Sequence, residues 1–445
     1  MRVAAVIPTF NPGPEVEATV RAVLAQEPAP QTVLVVDNAS ADGTPERLAS
    51  AFGPKITIRR NQRNTGSAGG FAEGVRLALD QDAEAVWCLD QDALPRPAAL
   101  AALLAALDSD PRAGAAGSRV LVRGAGELIQ ECGVRLGGWT SRLSHLGRGR
   151  TAPGFGAPCP VDALAYTSLL VRAEAVRRAG NIDPEFFLYY DDLEWTARIR
   201  SCGFRLLAAP SSVVEHADSA LKPLTPERLY LVMRNRLRFF AKAKGGLRRR
   251  WLLALQVAIL DSRVRWCREL ARAPEEAAFA AALADGLAGR GGAPDREFAA
   301  PAADLWDGVA LGEPLAFPQG AGGVHLAVGG RLDLALPALK ALAALGVGRE
   351  RITLSASGFA ADYLAAQGHR PSAPRTPFVG VVLDLPARAL LGAARQAAFA
   401  AGRFRIIADY RKLLARHARA DARRRLRRAV VLPWRLTLGA PRPGR

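Results

Sequence analysis

Apolar runs alternate with segments of helical spacing through residues 1–92. Val3 to Ile7 is a short apolar run closed by Pro8, Thr9, Phe10 and Asn11, which predicts a strand leading into a loop. Glu15 to Gln26 follows with apolar positions at helical spacing, and Val33 to Val36 is a second strand ending in Asp37 and Asn38. Asp42-Gly43-Thr44-Pro45-Glu46 supplies a turn, a Thr N-cap and a Pro at the first helical position. Ile56 to Ile58 is a third, short strand, and Asn64 to Gly70 opens a helix over Phe71 to Leu79. A fourth run, Val86-Trp87-Cys88-Leu89, ends abruptly in Asp90-Gln91-Asp92. Strand and helix repeating at this pitch predict a mostly parallel, doubly wound sheet with carboxylates gathered along one edge. That edge is where open α/β sheets bind their ligands.

Two carboxylates one residue apart, Asp90 and Asp92, can hold a hard divalent cation that bridges to phosphates. Taken alone, the same pair reads more readily as a solvated turn, so the surrounding motifs decide its meaning. Ile7-Pro8-Thr9-Phe10-Asn11, Val36-Asp37-Asn38-Ala39-Ser40-Ala41-Asp42-Gly43-Thr44, Asn64-Thr65-Gly66-Ser67-Ala68-Gly69-Gly70-Phe71 and Asp90-Gln91-Asp92 occur in order. Together they resemble family 2 glycosyltransferases of the GT-A fold, within them the rhamnosyl- and galactofuranosyltransferase-like branch. Phe186-Phe187-Leu188-Tyr189-Tyr190-Asp191-Asp192-Leu193-Glu194-Trp195 resembles that family's acceptor-side acidic motif. His216, after Val213 and Val214, falls where the family places a metal-binding histidine. The resemblance spans about residues 1–292.

The resemblance implies an inverting, metal-dependent transfer of a sugar from a nucleotide diphosphate donor, UDP- or dTDP-linked. Mg²⁺ or Mn²⁺ held by Asp92 and His216, with Asp90 nearer the ribose and the metal, would neutralise the departing diphosphate. Thr9 would line the nucleotide, Asp37 would read the base, and Asn64 belongs to the same donor-side motifs. Gly66, Gly69 and Gly70 would let backbone amides approach a phosphate at a helix N-terminus. Asp192 would be the general base for the acceptor hydroxyl, with Asp191, Glu194 and Trp195 on the acceptor side. Trp195 reads equally as a core aromatic. Gln91 departs from the commoner triple-aspartate form but leaves both carboxylates in place, and His145 receives no role.

The chain has 445 residues, enough for two or three domains and a large core. Its five cysteines are scattered without a Cys-x-x-Cys pair, which points away from zinc sites and disulfides and fits a reducing cytoplasm. The first strand starts almost at once, leaving no room for a signal peptide, and no apolar run reaches the ~20 residues of a membrane span. The net charge of +18 concentrates in two basic clusters. One comprises Arg234, Arg236, Arg238, Lys242, Lys244 and Arg248 to Arg250, the other Arg411 to Arg428 followed by Val430, Leu432 and Trp434. Aromatics are not interleaved with these arginines as stacking on nucleic acid would require, so the clusters point to an anionic membrane surface.

Beyond residue 292 a linker is expected over residues 293–322, then a smaller α/β domain over 323–445 with a basic C-terminal helix. Its strands are expected at Val324–Val328, Ile352–Leu354, Phe378–Leu383 and Phe404–Ala408, with helices at Leu332–Leu345, Phe359–Gln367, Pro386–Ala400 and Tyr410–Arg428. The expected enzyme builds a cell-surface polysaccharide from the cytoplasmic face of the plasma membrane, on a polyprenyl-diphosphate-linked glycan. The other reading is a non-catalytic nucleotide-sugar-binding or scaffold protein. Asp90, Asp92, Asp192 and His216, all present, weigh against it.

Overall fold

The computed structural model describes residues 1–137, 143–151, 156–217, 225–242, 246–269, 273–299, 323–329, 352–356, 359–369 and 378–382. The chain divides into two compact units. The first comprises Met1–Asp218, Tyr230–Lys244 and Ala281–Glu297; the second comprises Ser219–Leu229, Gly245–Ala280 and Phe298–Arg445.

The first unit opens with the expected alternation: β1 (Val3–Thr9), α1 (Glu15–Leu24), β2 (Thr32–Asp37), α2 (Thr44–Phe52), β3 (Thr57–Arg60), α3 (Gly66–Asp80) and β4 (Ala85–Leu89). It continues through β5 (Leu94–Pro95), α4 (Ala99–Asp108), β6 (Ala113–Val122), β7 (Ile129–Glu131), β8 (Val134–Leu136), β9 (Leu143–His145), β10 (Cys159–Val161) and β11 (Ser168–Arg172). After α5 (Ala173–Ala179) come α6 (Asp191–Ser201), β12 (Arg205–His216) and α7 (Pro226–Lys242). The main sheet runs β10-β12-β6-β11-β4-β1-β2-β3. β3, β2, β1 and β4 are mutually parallel, and β6 and β12 share their direction. β11 lies antiparallel between β4 and β6. The chain winds from β1 outward to β3 and then returns to the other side of β1 with β4. The C-terminal ends of β1 and β4, at Thr9 and Asp90, therefore flank a topological switch point, where a ligand crevice forms.

Every residue of β1 and β4 is buried, as continuous apolar runs in a sheet covered on both faces require. One face packs Val3, Ala5, Ile7 and Trp87 against Val16 and Val20 of α1, Leu48 of α2 and Leu103 of α4. The other carries α3, which approaches so closely that a Cβ on Gly74 would lie 2.2 Å from Val6 Cγ1. α2 starts differently from the expected Thr44 cap. Gly43 is the cap residue, and Asp42 Oδ1 accepts from the Thr44 amide at 3.2 Å and its hydroxyl at 2.6 Å. α3 starts five residues before Phe71, with Asn64 Oδ1 accepting from the Gly66 amide at 2.8 Å.

Through the middle of this sheet runs a buried chain of polar bonds. Trp87 Nε1 donates to Ser168 Oγ at 3.0 Å, Ser168 and Ser118 hydroxyls meet at 2.7 Å, and so do those of Ser118 and Ser212. Ser212 Oγ then donates to the Ala99 carbonyl at 2.9 Å.

In the second unit, α8 (Gly246–Glu269) falls in a segment that sequence reading assigns to the first domain. β13 (Gly323–Gly329) lies between β14 (Ile352–Ala356) and β15 (Phe378–Val382), all parallel. With α10 (Phe359–Ala366), these match the expected small α/β pattern; α9 (Ala273–Leu287) begins in this unit, and its residues from Ala281 belong to the first. The expected strand at Phe404–Ala408, the helices at Leu332–Leu345 and Pro386–Ala400, and the basic helix at Tyr410–Arg428 lie outside the described residues.

Candidate active site

The loop after β4 carries the two aspartates to the sheet's C-terminal edge, and β12 ends beside it at His216. Both Asp92 and His216 are buried. His216 Nε2 lies 3.1 Å from Asp92 Oδ1 and 3.8 Å from Asp90 Oδ2. Its Nδ1 lies 3.2 Å from Gln130 Oε1 on β7, which orients the ring. Burial works against an imidazolium here, but the Asp92 hydrogen bond and the charges of Asp90 and Asp92 outweigh it and raise the pKa of His216. Arg123 holds the same loop through a bond from its guanidinium to the Asp92 carbonyl.

Gln91 is more than a neutral spacer between carboxylates. Its side-chain oxygen accepts from Thr9 Oγ1 at 2.9 Å and from the Phe10 amide at 3.0 Å. Its own carbonyl accepts from Thr19 Oγ1 at 2.8 Å. The glutamine thus clips the β4 loop to β1 and α1, and Thr9 is occupied in holding it.

On β2, the fully buried Asp37 accepts from the Ser40 amide at 3.1 Å and lies 3.6 Å from Arg60 Nε. Asn38 donates to the Gly66 carbonyl at 3.0 Å and accepts from Thr65 Oγ1 at 2.8 Å. The glycines Gly66, Gly69 and Gly70 are accounted for by contacts within the protein. A Cβ on Gly66, at φ +72°, would lie 2.0 Å from the Phe187 carbonyl oxygen; one on Gly69 would strike Thr65; one on Gly70 would strike Pro8. The Ala68 amide at the start of α3 already donates to that Phe187 oxygen at 3.1 Å.

The acidic motif forms the first turn of α6. Asp191 is buried and accepts from Ser67 Oγ at 3.1 Å, which joins α6 to the start of α3. Burial raises its carboxyl to about 7, with the Ser67 bond opposing. Asp192, half-buried, is pushed well above the usual carboxylate range by desolvation and then by the charge of Asp191. The charge of Asp90 also acts on both, so the β4 loop and the start of α6 share one electrostatic site.

Two residues assigned to the acceptor side are not there. Trp195 is fully buried, donates from Nε1 to the Gly180 carbonyl at 2.9 Å and packs on Tyr166, so it is a core residue with no face for a sugar. Glu194 is buried between Arg198 at 2.9 Å and Lys242 at 3.1 Å, an ion-paired anchor for the helix. The basic cluster on α7 is corrected in the same way. Arg234 is fully buried, and Arg238 and Lys242 pair with Asp183 at 3.1 and 2.8 Å. These charges serve the interior of the unit rather than a membrane.

Sequence reasoning missed β7. Beside Gln130, the buried Glu131 meets His145 Nδ1 at 2.8 Å through Oε2. Burial works to raise the Glu131 carboxyl, but the His145 bond and charge more than offset it, and the pKa is lowered. Its charge is felt at Asp90, Asp192 and His216. Nothing local in Ile129-Gln130-Glu131 signals this, because the partners arrive from β9 and β12. Among the described residues, no three His, Cys, Asp or Glu side chains form a ready metal cage.

The sheet gathers carboxylates at its switch point with an acidic helix start beside them, the edge at which the sequence places its ligand. Residues 4–154 match the family model described as Glycosyl transferase family 2. The chain carries a family 2 glycosyltransferase domain, and its fold is the GT-A class expected from the sequence. Among curated proteins it is 27% identical over 236 residues to the N-acetylglucosaminyl-diphospho-decaprenol L-rhamnosyltransferase of Mycobacterium tuberculosis, covering 47% of this chain and 73% of the relative. It is 31% identical over 204 residues to the galactofuranosyltransferase GlfT1 of the same organism, covering 45% of this chain and 65% of the relative. The solved structure of GalNAc-T7 with UDP, GalNAc and Mn2+ aligns with a TM-score of 0.47 at 17% identity, covering 58% of this chain and 51% of that one.

Proposed function

We propose that this chain is an inverting, divalent-metal-dependent glycosyltransferase that moves rhamnose or galactofuranose from a nucleotide diphosphate donor to a cell-surface glycan. The observation that carries the reading is the meeting of Asp90, Asp92 and His216 with the Asp191–Asp192 pair in one electrostatic site at the sheet's C-terminal edge. The names of the two mycobacterial relatives support the sugar class, and the decaprenol in one of them supports a polyprenyl-diphosphate-linked acceptor.

Asp92, Asp90 and His216 are the residues that would hold Mg²⁺ or Mn²⁺. The chemistry of the donor set supports this reading: two carboxylates and an imidazole, with His216 Nδ1 engaged by Gln130 and Nε2 toward Asp92. When bound, the ion supplies charge neutralisation for the departing nucleoside diphosphate. Asp192 receives the proton of the acceptor hydroxyl, and its raised pKa makes it a stronger base once ionised. Direct attack by that hydroxyl inverts the anomeric carbon. Asp191, tied to Ser67, fixes the first turn of α6 against α3.

A cytoplasmic position at the inner membrane face follows from a lipid-linked acceptor. Among the described residues no helix is long and apolar enough to cross a membrane. On α8, Leu247 and Trp251 are exposed one turn apart with Arg249 and Arg250 exposed between them, a composition suited to an anionic lipid surface. Nucleotide release from a panel of UDP- and dTDP-sugars, with and without a chelator, tests the reading. Metal-dependent release from dTDP-rhamnose or UDP-galactofuranose in the presence of a polyprenyl-diphosphate-linked glycan is the expected result. Full turnover in excess chelator refutes the metal arrangement, and no release from any donor refutes the activity.

A further inference from the structure

The segment that delivers Asp191 and Asp192 is strained. Phe187, Tyr189 and Tyr190 have φ of +62°, +71° and +67°, three non-glycine residues in the left-handed region within four positions. Such backbone persists in non-glycine residues only where the surroundings enforce it. The enforcing group is Asn235 of α7, itself fully buried. Its Nδ2 faces the carbonyl oxygens of Phe186, Leu188 and Tyr189 at 2.6, 2.7 and 2.9 Å. Arg234 Nε donates to Asn235 Oδ1 at 3.0 Å, which fixes which end of the amide faces the carbonyls. The Arg234 guanidinium adds a bond to the Phe186 carbonyl at 3.2 Å.

We infer that Asn235, oriented by Arg234, is a positioning residue for the acceptor-side base: it holds the 186–190 segment, with Phe187, Tyr189 and Tyr190 at positive φ, in the conformation that sets Asp192 at the start of α6. The inference rests on the glycosyl-transfer reading above and extends it to residues that touch no reacting atom. A glycine or asparagine in this segment would reach the same backbone without a brace. The chain instead carries Phe and Tyr there, and two buried polar side chains from another helix supply the constraint. When the brace is lost, the segment relaxes toward ordinary backbone and Asp192 shifts, while the donor side, built on β1, β2 and β4, keeps its geometry.

The test uses the full chain and the donor, dTDP-rhamnose or UDP-galactofuranose, that wild type turns over with a polyprenyl-diphosphate-linked glycan. Asn235→Ala should lower transfer kcat/KM by about 10²-fold, the scale of a 1 Å misplacement. Calorimetric binding of dTDP or UDP should keep wild-type stoichiometry and a Kd within about threefold. Asn235→Asp, the same shape without a donor, gives the same result should the alanine variant not fold. In a Tyr189→Gly background, where the left-handed conformation needs less enforcing, the same substitution should cost at least about fivefold less. Transfer within about threefold of wild type overturns the inference, as does a rate loss matched by lost nucleotide-binding sites or an undiminished cost beside Gly at 189. A wild-type chain that binds nucleotide and transfers nothing overturns the glycosyl-transfer reading together with the brace, whereas an active wild type with an active variant overturns the brace alone.

Discussion

Replacing Gly66 by alanine would set a Cβ 2.0 Å from the Phe187 carbonyl oxygen and 2.6 Å from its carbon. An ordinary C···O contact is about 3.3 Å, so α3 and the 186–190 segment must separate by about 1.3 Å. Alanine at φ +72° adds about 1 kcal/mol of backbone strain. The separation also loses the bond from the Ala68 amide to the same oxygen, now 3.1 Å, worth about 1 kcal/mol. The sum, about 2 kcal/mol, corresponds to a fall in Tm of roughly 4–8 °C for a unit of this size. The displaced atoms lie on the acceptor side, so transfer should fall about 10²-fold with nucleotide affinity nearly unchanged. Differential scanning fluorimetry, calorimetry with UDP or dTDP, and a transfer assay read the three quantities separately. An unchanged Tm would mean that the helix and the segment are not in contact. A selective loss of nucleotide affinity would return Gly66 to the phosphate-lining role that its motif suggests.

Asp192→Asn should cut transfer by roughly 10²–10⁴-fold with donor binding intact, and Asp191→Asn should cost less; equal losses would remove the base assignment. Both carboxyls are raised by burial, so transfer should climb with pH as the pair ionises, about 7 for Asp191. A raised native pKa stabilises the fold most below the unfolded value near 4 and loses that contribution as pH rises through about 7. Asp191→Asn should therefore gain Tm relative to wild type between those limits, and a Tm difference that stays flat with pH would contradict the shift. The chain should sediment with anionic vesicles at low salt and release at high salt, and Leu247→Asp with Trp251→Asp should weaken that binding; unaltered sedimentation of the double variant would exclude α8 as the contact.

The parallel half of the sheet was legible because its strands are buried on both faces and read as unbroken apolar runs from Val3, Val33 and Val86. The aspartates that end β2 and β4, and His216 at the end of β12, stood out by position alone. β11 did not, since its place between β4 and β6 is set by pairings some eighty and fifty residues away in the chain, and no local pattern carries them. Charge was the least readable signal. Arg234, Arg238 and Lys242 look like a solvated basic face until Asp183, Glu194 and the 186–190 carbonyls are brought to them. Trp195 and Glu194 share a motif with Asp192, but helical geometry turns them inward. The glycines in the first turns of α3 mark close approach, and the sequence does not reveal that Phe187, Thr65 and Pro8 lie against them.

The hydroxyl chain beneath the site has a direction. An indole N–H can only donate and a carbonyl can only accept, so with Ser212 spent on Ala99, Ser118 must donate to Ser212 and Ser168 to Ser118. One proton arrangement satisfies all of them, and it exists in one alignment of β4, β11, β6 and β12. A two-residue slide of β11 would keep its apolar faces correctly sorted, so hydrophobic burial alone does not forbid it. The slide would withdraw Ser168 and strand the Trp87 N–H in the core at a cost of about 1–3 kcal/mol. The serines thus act as a checksum on strand alignment: Ser168→Ala should surrender uniqueness of packing, visible as doubled Trp87 indole resonances, before it surrenders the fold.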